Sequence, residues 1–453
     1  MERGQSMQRD TFLEGRILPP LIRFAIPLIF SLALQALYGG VDLAVVGQFA
    51  ETASVSAVAT GSQVMQTATV LVTGLTMGVT VLLGQAIGAQ DERLAGGVIA
   101  GQIRLFSVVA LVLTAGMILF APQAVQWMNV PEQAQQQTVW YIRICSGGMA
   151  FITAYNAISG VFRGIGNSRS PFLFVLIACL VNIVLDLLFV GVFHWAAAGA
   201  AFATVIAQAV SVAFSAWYIR KNGLPFRVDR GSFQVRGTVK SILRIGAPIA
   251  AQDVLVSISF LIITGIVNQL GLVASAGIGV SEKLYVFLSI IPMAFLSALS
   301  AFVAQNVGAG NLRRATRALL LGTGISLCFG TAMFLLTFFQ GGLLAQAFEK
   351  NPEVIAATAD YLHGSSFEYL LISVSFCMLG YFNGRGKTGF SMMQGLLTAF
   401  LVRIPLSYFL SRLPQTGMFQ ISLAVPASAL VSVLMCMAYF WWIRRKDRRL
   451  ELI

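Results

Sequence analysis

The sequence predicts an all-α polytopic membrane protein of twelve transmembrane helices in two pseudo-symmetric six-helix bundles. Three observations carry that expectation. Of the 453 residues, 57% are hydrophobic and only 11% charged, with a mean hydropathy of +0.80; a soluble domain has roughly 45–50% apolar and about 25% charged residues. The apolar residues fall in runs of the length a bilayer-crossing helix needs, about 20 residues, rather than the ~10-residue alternating segments of an outer-membrane barrel. The second half of the chain also repeats the first. Together these exclude an ordinary soluble enzyme, a nucleic-acid binder and a disordered regulator.

The runs place the twelve spans at 20–46, 54–84, 94–120, 133–161, 171–193, 196–219, 239–267, 275–305, 314–340, 353–382, 388–411 and 417–443. Several exceed the bilayer thickness, so tilt or extension beyond the membrane is expected. Residues 1–19 form a charged and polar leading segment without the apolar stretch of a cleavable signal peptide. The net charge of +12 is explained by position rather than by nucleic acid. Of the 30 Lys and Arg, 25 fall on the side that holds both termini, among them the basic tail from Arg444. Positive loops mark the cytoplasmic side, which predicts cytoplasmic termini in a cell membrane with lipids as neighbours. The five cysteines lie in apolar runs, form no CxxC and meet only two histidines in the chain, and read as inert core thiols. No cofactor and no stable second subunit is expected.

The polar stretch 220–238 separates two halves of six helices, 20–219 and 239–443. "GQAIGAQDERLAG" at 84–96 recurs as "AQNVGAGNLRRAT" at 304–316, and "GVFRGIGNSRS" at 160–170 as "GYFNGRGKTGF" at 380–390, both displaced by 220 residues. Tyr141 matches Tyr361 at 220, and Pro27 matches Pro248 at 221. An even number of spans per half gives both halves the same topology, related by an axis along the membrane normal, a build shared by secondary transporters. Gly386-Lys387-Thr388 has the end of a phosphate-binding loop, but that loop needs Gly at 381, where Tyr stands. A tight turn between spans is the better reading.

Ionisable groups inside spans are functional candidates by default, because each is costly in hydrocarbon. Asp42 follows Gln35, Tyr38, Gly39 and Gly40 in the first span; Asn182 and Asp186 share one face of the fifth, four residues apart. The sixth span opens with the small-residue run "AAAGAAFAT" leading to Thr204. Two carboxylates, an amide and a hydroxyl suit a hard cation such as Na⁺ or a proton. In the second half Asp253, Glu282, Lys283, Glu368 and Arg403 lie in apolar context. There a substrate site and a structural Glu368–Arg403 pair stand as alternatives. Gln35, Tyr38, Tyr141, Asp253, Glu282, Glu368 and Arg403 are the candidates for a substrate cavity. Pro27, with Gly39 and Gly40, makes the first helix a candidate hinge.

The six-plus-six repeat, "VDLAVVGQF" at 41–49, the paired "GQxxGA" and "AQNVGAG" segments, and "FRGIGNS" resemble the multidrug and toxic compound extrusion (MATE) family over roughly 20–443. The resemblance implies two bundles that open alternately and export of amphipathic, often cationic compounds against H⁺ or Na⁺ entry. It also implies a cation site at Asp42, Asn182, Asp186 and Thr204, with Tyr38 lining the same pocket. A second branch of the family uses a glutamate of the seventh helix, and the register around Asp253 does not match it. The expected function is therefore a secondary antiporter for organic compounds, not an enzyme. The alternatives are a flippase for a lipid-linked precursor, for which Lys283 and Arg403 are the few basic candidates, and a non-transporting receptor or scaffold. The last would leave the Asp42 constellation without a role.

Overall fold

The structure, a computed structural model, describes residues 12–413 and 416–450, with side chains through Asp447; Arg3, Arg9 and the last three residues of the predicted tail lie outside this set. The described chain is helical throughout, apart from turns. In the first half α1 (Leu18–Phe49), α2 (Thr52–Gly88) and α3 (Glu92–Trp127) are single long helices. The fourth span is a bent pair, α4 (Glu132–Gly147) and α5 (Met149–Gly164), meeting at 51°. Next come α6 (Arg169–Asp186), running into a π-helical stretch at Leu187–Val192, and α7 (Ala196–Asn222). The second half runs α8 (Thr238–Asn268), α9 (Leu272–Leu288) with α10 (Ile290–Gly308), and α11 (Leu312–Gln346). Another 51° bent pair follows, α12 (Pro352–Ser365) and α13 (Glu368–Gly384). The chain closes with α14 (Thr388–Leu396), a π-helical stretch at Leu397–Arg403, α15 (Ile404–Ser411), α16 (Met418–Ser422) and α17 (Ala424–Leu450). Ten of these elements are long and apolar enough to cross a membrane, and twelve spans result when each bent pair counts once.

Their outer faces are those of a lipid-facing protein. Along α3, Val108, Leu111, Val112, Leu119 and Phe120 are each at least 60% exposed. Water would not tolerate that many neighbouring apolar side chains.

The chain divides into two compact units that differ from its sequence halves. The first takes in residues 22–250 together with 304–311; the second takes in 251–303 and everything from 312. Small residues account for the transfer of 239–250. On α2, Gly74 lies against the backbone of Ala250 and Gly78 against the carbonyl of Ile242, while Gly246 on α8 lies against Leu75. None of the three leaves room for a Cβ, so the backbones approach as closely as small residues allow. The core beneath them is built from Val72, Leu75, Val79, Leu83, Val98, Phe106, Val161 and Ile242.

The repeat in the sequence is a repeat in packing. Gly160 abuts Thr76 and Gly164 the carbonyl of Thr80; displaced by 220 residues, Gly380 abuts the carbonyl of Leu296 and Gly384 that of Ser300. The turns that follow carry Gly166 at φ +86° and Gly386 at φ +69°, a left-handed conformation that glycine adopts without steric cost. This is the tight turn expected for Gly386-Lys387-Thr388. Within the first unit the paired motifs meet directly. Gly88 sits on the backbone carbonyl of Gln305, and Gly308 sits on that of Gln85. Gln305 also donates to the carbonyl of Gly164 at 2.8 Å, and Asn306 to that of Phe12 at 3.1 Å.

The polar stretch 220–238 is not a slack tether. Its 3₁₀ turn Gly231–Gln234 packs on α3, where Gly96 faces Ser232, Gly97 faces Val235 and Gly101 faces Thr238. Arg104 donates to the carbonyl of Phe233. Asp229 accepts from the backbone N–H and the hydroxyl of Ser232, and these bonds hold its carboxyl below the usual aspartate range. In the second unit, α17 carries the basic run at 444–446 as helix rather than tail, and Asp447 is bound through both oxygens by Arg385 at 2.7 and 2.9 Å.

The glycine contacts have a measurable weight. Gly88→Ala and Gly308→Ala each force a methyl into a backbone carbonyl, and should cost about 1–3 kcal/mol, as overpacking does. Gly116→Ala on α3, where a Cβ meets nothing, should stabilise slightly. Thermal melting of the detergent-purified variants checks the ranking.

Candidate cation and substrate sites

The first unit gathers three of the four predicted cation ligands in one place. Asp42 is 5% exposed, and Asn182 and Asp186 are fully buried. Turned so that its nitrogen faces the carboxyl groups, the Asn182 amide donates to Asp42 Oδ1 at 2.8 Å and to Asp186 Oδ2 at 3.2 Å. The two carboxyl groups thus share one amide as donor, and Asp186 Oδ1 has no protein partner. Two carboxyl groups buried around one amide repel each other unless a proton or a counter-cation offsets their charge.

Local sequence explains the placement. Asn182 and Asp186, one turn apart, present both side chains from α6 to the same side. The π-helical stretch starts at Leu187, immediately after Asp186; such insertions are rare and concentrate at functional sites. Asp42 comes from α1. Thr204, on α7, spends its hydroxyl proton on the Ala200 carbonyl at 2.9 Å and keeps its oxygen as acceptor, in electrostatic reach of Tyr38. Tyr141 is buried against Gly61 of α2, in electrostatic reach of Asp42 and Tyr38. The surrounding core is formed by Val45, Val46, Met65, Cys145, Met149 and Ala200.

The remaining candidates fall elsewhere. Gln35 is exposed on α1, as are Gly39 and Gly40, where a Cβ would meet nothing. The helix runs unbroken through Pro27, whose carbonyl accepts the Ser31 hydroxyl at 2.8 Å. In the second unit Arg403 Nη2 lies 3.6 Å from Glu368 Oε1, the partnership considered from the sequence. Glu282 accepts from Thr264 at 2.5 Å rather than pairing with exposed Lys283. Asp253 is half-buried on α8, about 16 Å along the helix axis from Thr264, so it does not join that group. Tyr285, Tyr369, Phe260 and Ser428 do join it and carry no signal in the sequence beyond being polar or aromatic residues in apolar helices. A cavity of about 390 Å³ in the second unit is lined by Asp360, His363, Gly417, Phe419 and Gln420, none of them a candidate. Among the described residues no three His, Cys, Asp or Glu side chains gather to hold a metal ion.

The MatE family model matches this chain twice, at residues 27–188 and 248–409. The chain belongs to the MatE family. It is 26% identical over 446 residues to the probable multidrug resistance protein YpnP of Bacillus subtilis, covering 98% of this chain and 99% of that one. It is 24% identical to the probable multidrug resistance protein NorM of Thermotoga maritima, covering 88% and 86%. A solved MATE family transporter in an outward-facing conformation superposes with a TM-score of 0.90 at 20% identity, over 98% of both chains. This MatE member is therefore a multi-pass membrane protein of a multidrug efflux family, whose members move their substrates rather than transform them.

Replacing Asn182 with Leu removes the one amide that faces both carboxyl groups. Losing hydrogen bonds to such groups should destabilise the first unit by about 1.5–3 kcal/mol, read as a lowered melting temperature in detergent. Thr204→Val, whose hydroxyl proton serves only its own helix, should cost less.

Proposed function

We propose that this MatE transporter is a secondary antiporter that exports amphipathic, cationic organic compounds in exchange for H⁺ or Na⁺ by alternating access. Asp42, Asn182, Asp186 and Thr204 take the coupling cation. The observation that carries the reading is the pair of buried carboxyl groups, Asp42 and Asp186, held around one amide in an otherwise apolar bundle. A charge so placed is retained at a cost in stability, which function explains better than folding does. The reading includes cytoplasmic termini, a plasma-membrane location, a monomer, and two bundles, 20–219 and 239–443, as the elements that rock.

Coupling requires that cation and drug prefer different states, since a ligand that binds both equally shifts nothing. The first helix holds both devices. Asp42 is neutralised when the cation arrives, and Pro27 with Gly39 and Gly40 lets α1 bend inward and narrow the space left for drug. Drug binding then disfavours cation binding by the same factor. The flippase alternative loses ground because Arg403, one of its few basic candidates, is engaged by Glu368 and Ser428.

In proteoliposomes, Asp42→Asn should abolish gradient-driven drug efflux while leaving the protein folded. Efflux retained in that variant would remove Asp42 from the coupling step. Changing both Gly39 and Gly40 to Ala should bias α1 toward its continuous form by about 2 kcal/mol, roughly thirtyfold. Turnover should fall accordingly, with cation affinity kept. Unchanged turnover would make the two glycines incidental to the cycle.

A further inference from the structure

The two halves carry a matching segment in the fifth span that differs at three of seven positions, two of them the polar ones. Leu180-Val181-Asn182-Ile183-Val184-Leu185-Asp186 recurs as Leu401-Val402-Arg403-Ile404-Pro405-Leu406-Ser407, displaced by 221 residues. The same displacement separates the two family matches. A π-helical turn follows the first segment, at Leu187–Val192, and another runs into the second, at Leu397–Arg403. Arg403 therefore stands where Asn182 stands, and Ser407 where Asp186 stands. Ser407 is fully buried, and its hydroxyl has no protein partner, as Asp186 Oδ1 has none.

The pocket around Arg403 has the parts of a cation site. Buried Glu368 and half-buried Glu282 supply carboxyl groups from α13 and α9, while Thr264 supplies a hydroxyl. Tyr361, the repeat partner of Tyr141, lies in electrostatic reach of Glu282, Glu368 and Arg403. The Arg403 side chain is 13% exposed; its guanidinium donates from Nε to Ser428 at 3.0 Å, faces Glu368 at 3.6 Å, and sits 4.9 Å from the centre of the Phe260 ring. Carboxylate on one side and aromatic face on the other are the partners a bound cation would have. In the first pocket the corresponding side chain is a neutral amide, and two carboxyl groups are left for a mobile charge.

We propose that Arg403 is a tethered cation that permanently fills the second pocket, so that the transporter has a single pocket for an exchangeable cation, the one at Asp42. This rests on the reading of Asp42 given above. The titratable and charged groups facing one another in the second pocket are Glu282, Glu368, Arg403, Tyr285, Tyr361 and Tyr369. The guanidinium stays charged at any physiological pH, so it does not leave the site as a proton or Na⁺ does.

The test is made on the full chain in detergent, by ²²Na⁺ binding and by melting temperature against Na⁺ and against pH. Asp42→Asn should bind no cation and lose both the Na⁺-dependent shift and the part of the pH response that Asp42 supplies. Adding Arg403→Met should create a new response that Asp42 does not supply, a rise of roughly 2–4 °C when cation exceeds its dissociation constant about tenfold. Adding Arg403→Lys should create none, and Glu368→Gln should remove the response that Arg403→Met creates. A folded Asp42→Asn/Arg403→Met protein that responds to neither cation overturns the proposal, and so does an equal response with Arg403→Lys. If Arg403→Met does not fold, Asp42→Asn alone decides: cation binding that survives there and disappears with Glu368→Gln overturns the proposal, and its absence upholds it. Should Asp42→Asn keep the wild-type response and Glu368→Gln leave it intact, the reading of Asp42 fails. The tethered-cation proposal is then judged by the increment that Arg403→Met adds.

Discussion

A charge in hydrocarbon is tolerated only where something answers it, and that constraint organises both halves of this MatE protein. In the first unit the answer to Asp42 and Asp186 is a shared amide. In the second, Glu368 is answered by a guanidinium and Glu282 by a hydroxyl. The helices around these groups bring the charged side chains to a partner, while Asp186 Oδ1 and the Ser407 hydroxyl stay without one. Breaks in helical regularity fall beside them. π-Helical turns abut Asp186 and end at Arg403, and the fourth span of each half bends by the same 51°, in the second half directly before Glu368.

Duplication of one six-helix scaffold explains how two such pockets coexist with different chemistry. Packing positions are retained as pairs: Gly160 with Gly380, Gly164 with Gly384, Gly166 with Gly386. At these places a side chain would collide with a neighbouring helix or strain a left-handed turn, so either copy keeps its glycine whatever its pocket holds. Pocket positions carry no such steric demand. Asn182 and Arg403 occupy equivalent places and differ in charge, because each needs only to satisfy the groups that face it.

The fold was legible because lipid imposes a composition and a run length that water does not. Twelve spans, the turn at Gly386 and the repeat follow from residues alone. The cluster of Asp42, Asn182 and Asp186 was legible for a related reason: polar residues are so sparse in these helices that a four-residue spacing and a second carboxylate leave few arrangements. What was not legible depends on contacts between distant segments. Transfer of 239–250 and 304–311 into the first unit rests on glycines meeting backbone, and a glycine in a sequence does not say what it faces. The docking of 231–234 on α3 was hidden because the segment is polar and reads as a loose connection. Tyr285, Tyr369 and Ser428 join the Arg403 group from three different helices, a meeting that no periodicity announces.

The reciprocal seating of Gly88 on Gln305 and of Gly308 on Gln85 also bears on how such proteins can be recombined. Each motif is at once the guest and the host of its own copy, through main-chain atoms that no rotamer change can move aside. A chimera that takes one half from a relative therefore has to match that surface across the junction, however well its cavity is chosen. Segments 85–88 and 305–308 are best inherited as a single unit, although more than two hundred residues of sequence lie between them.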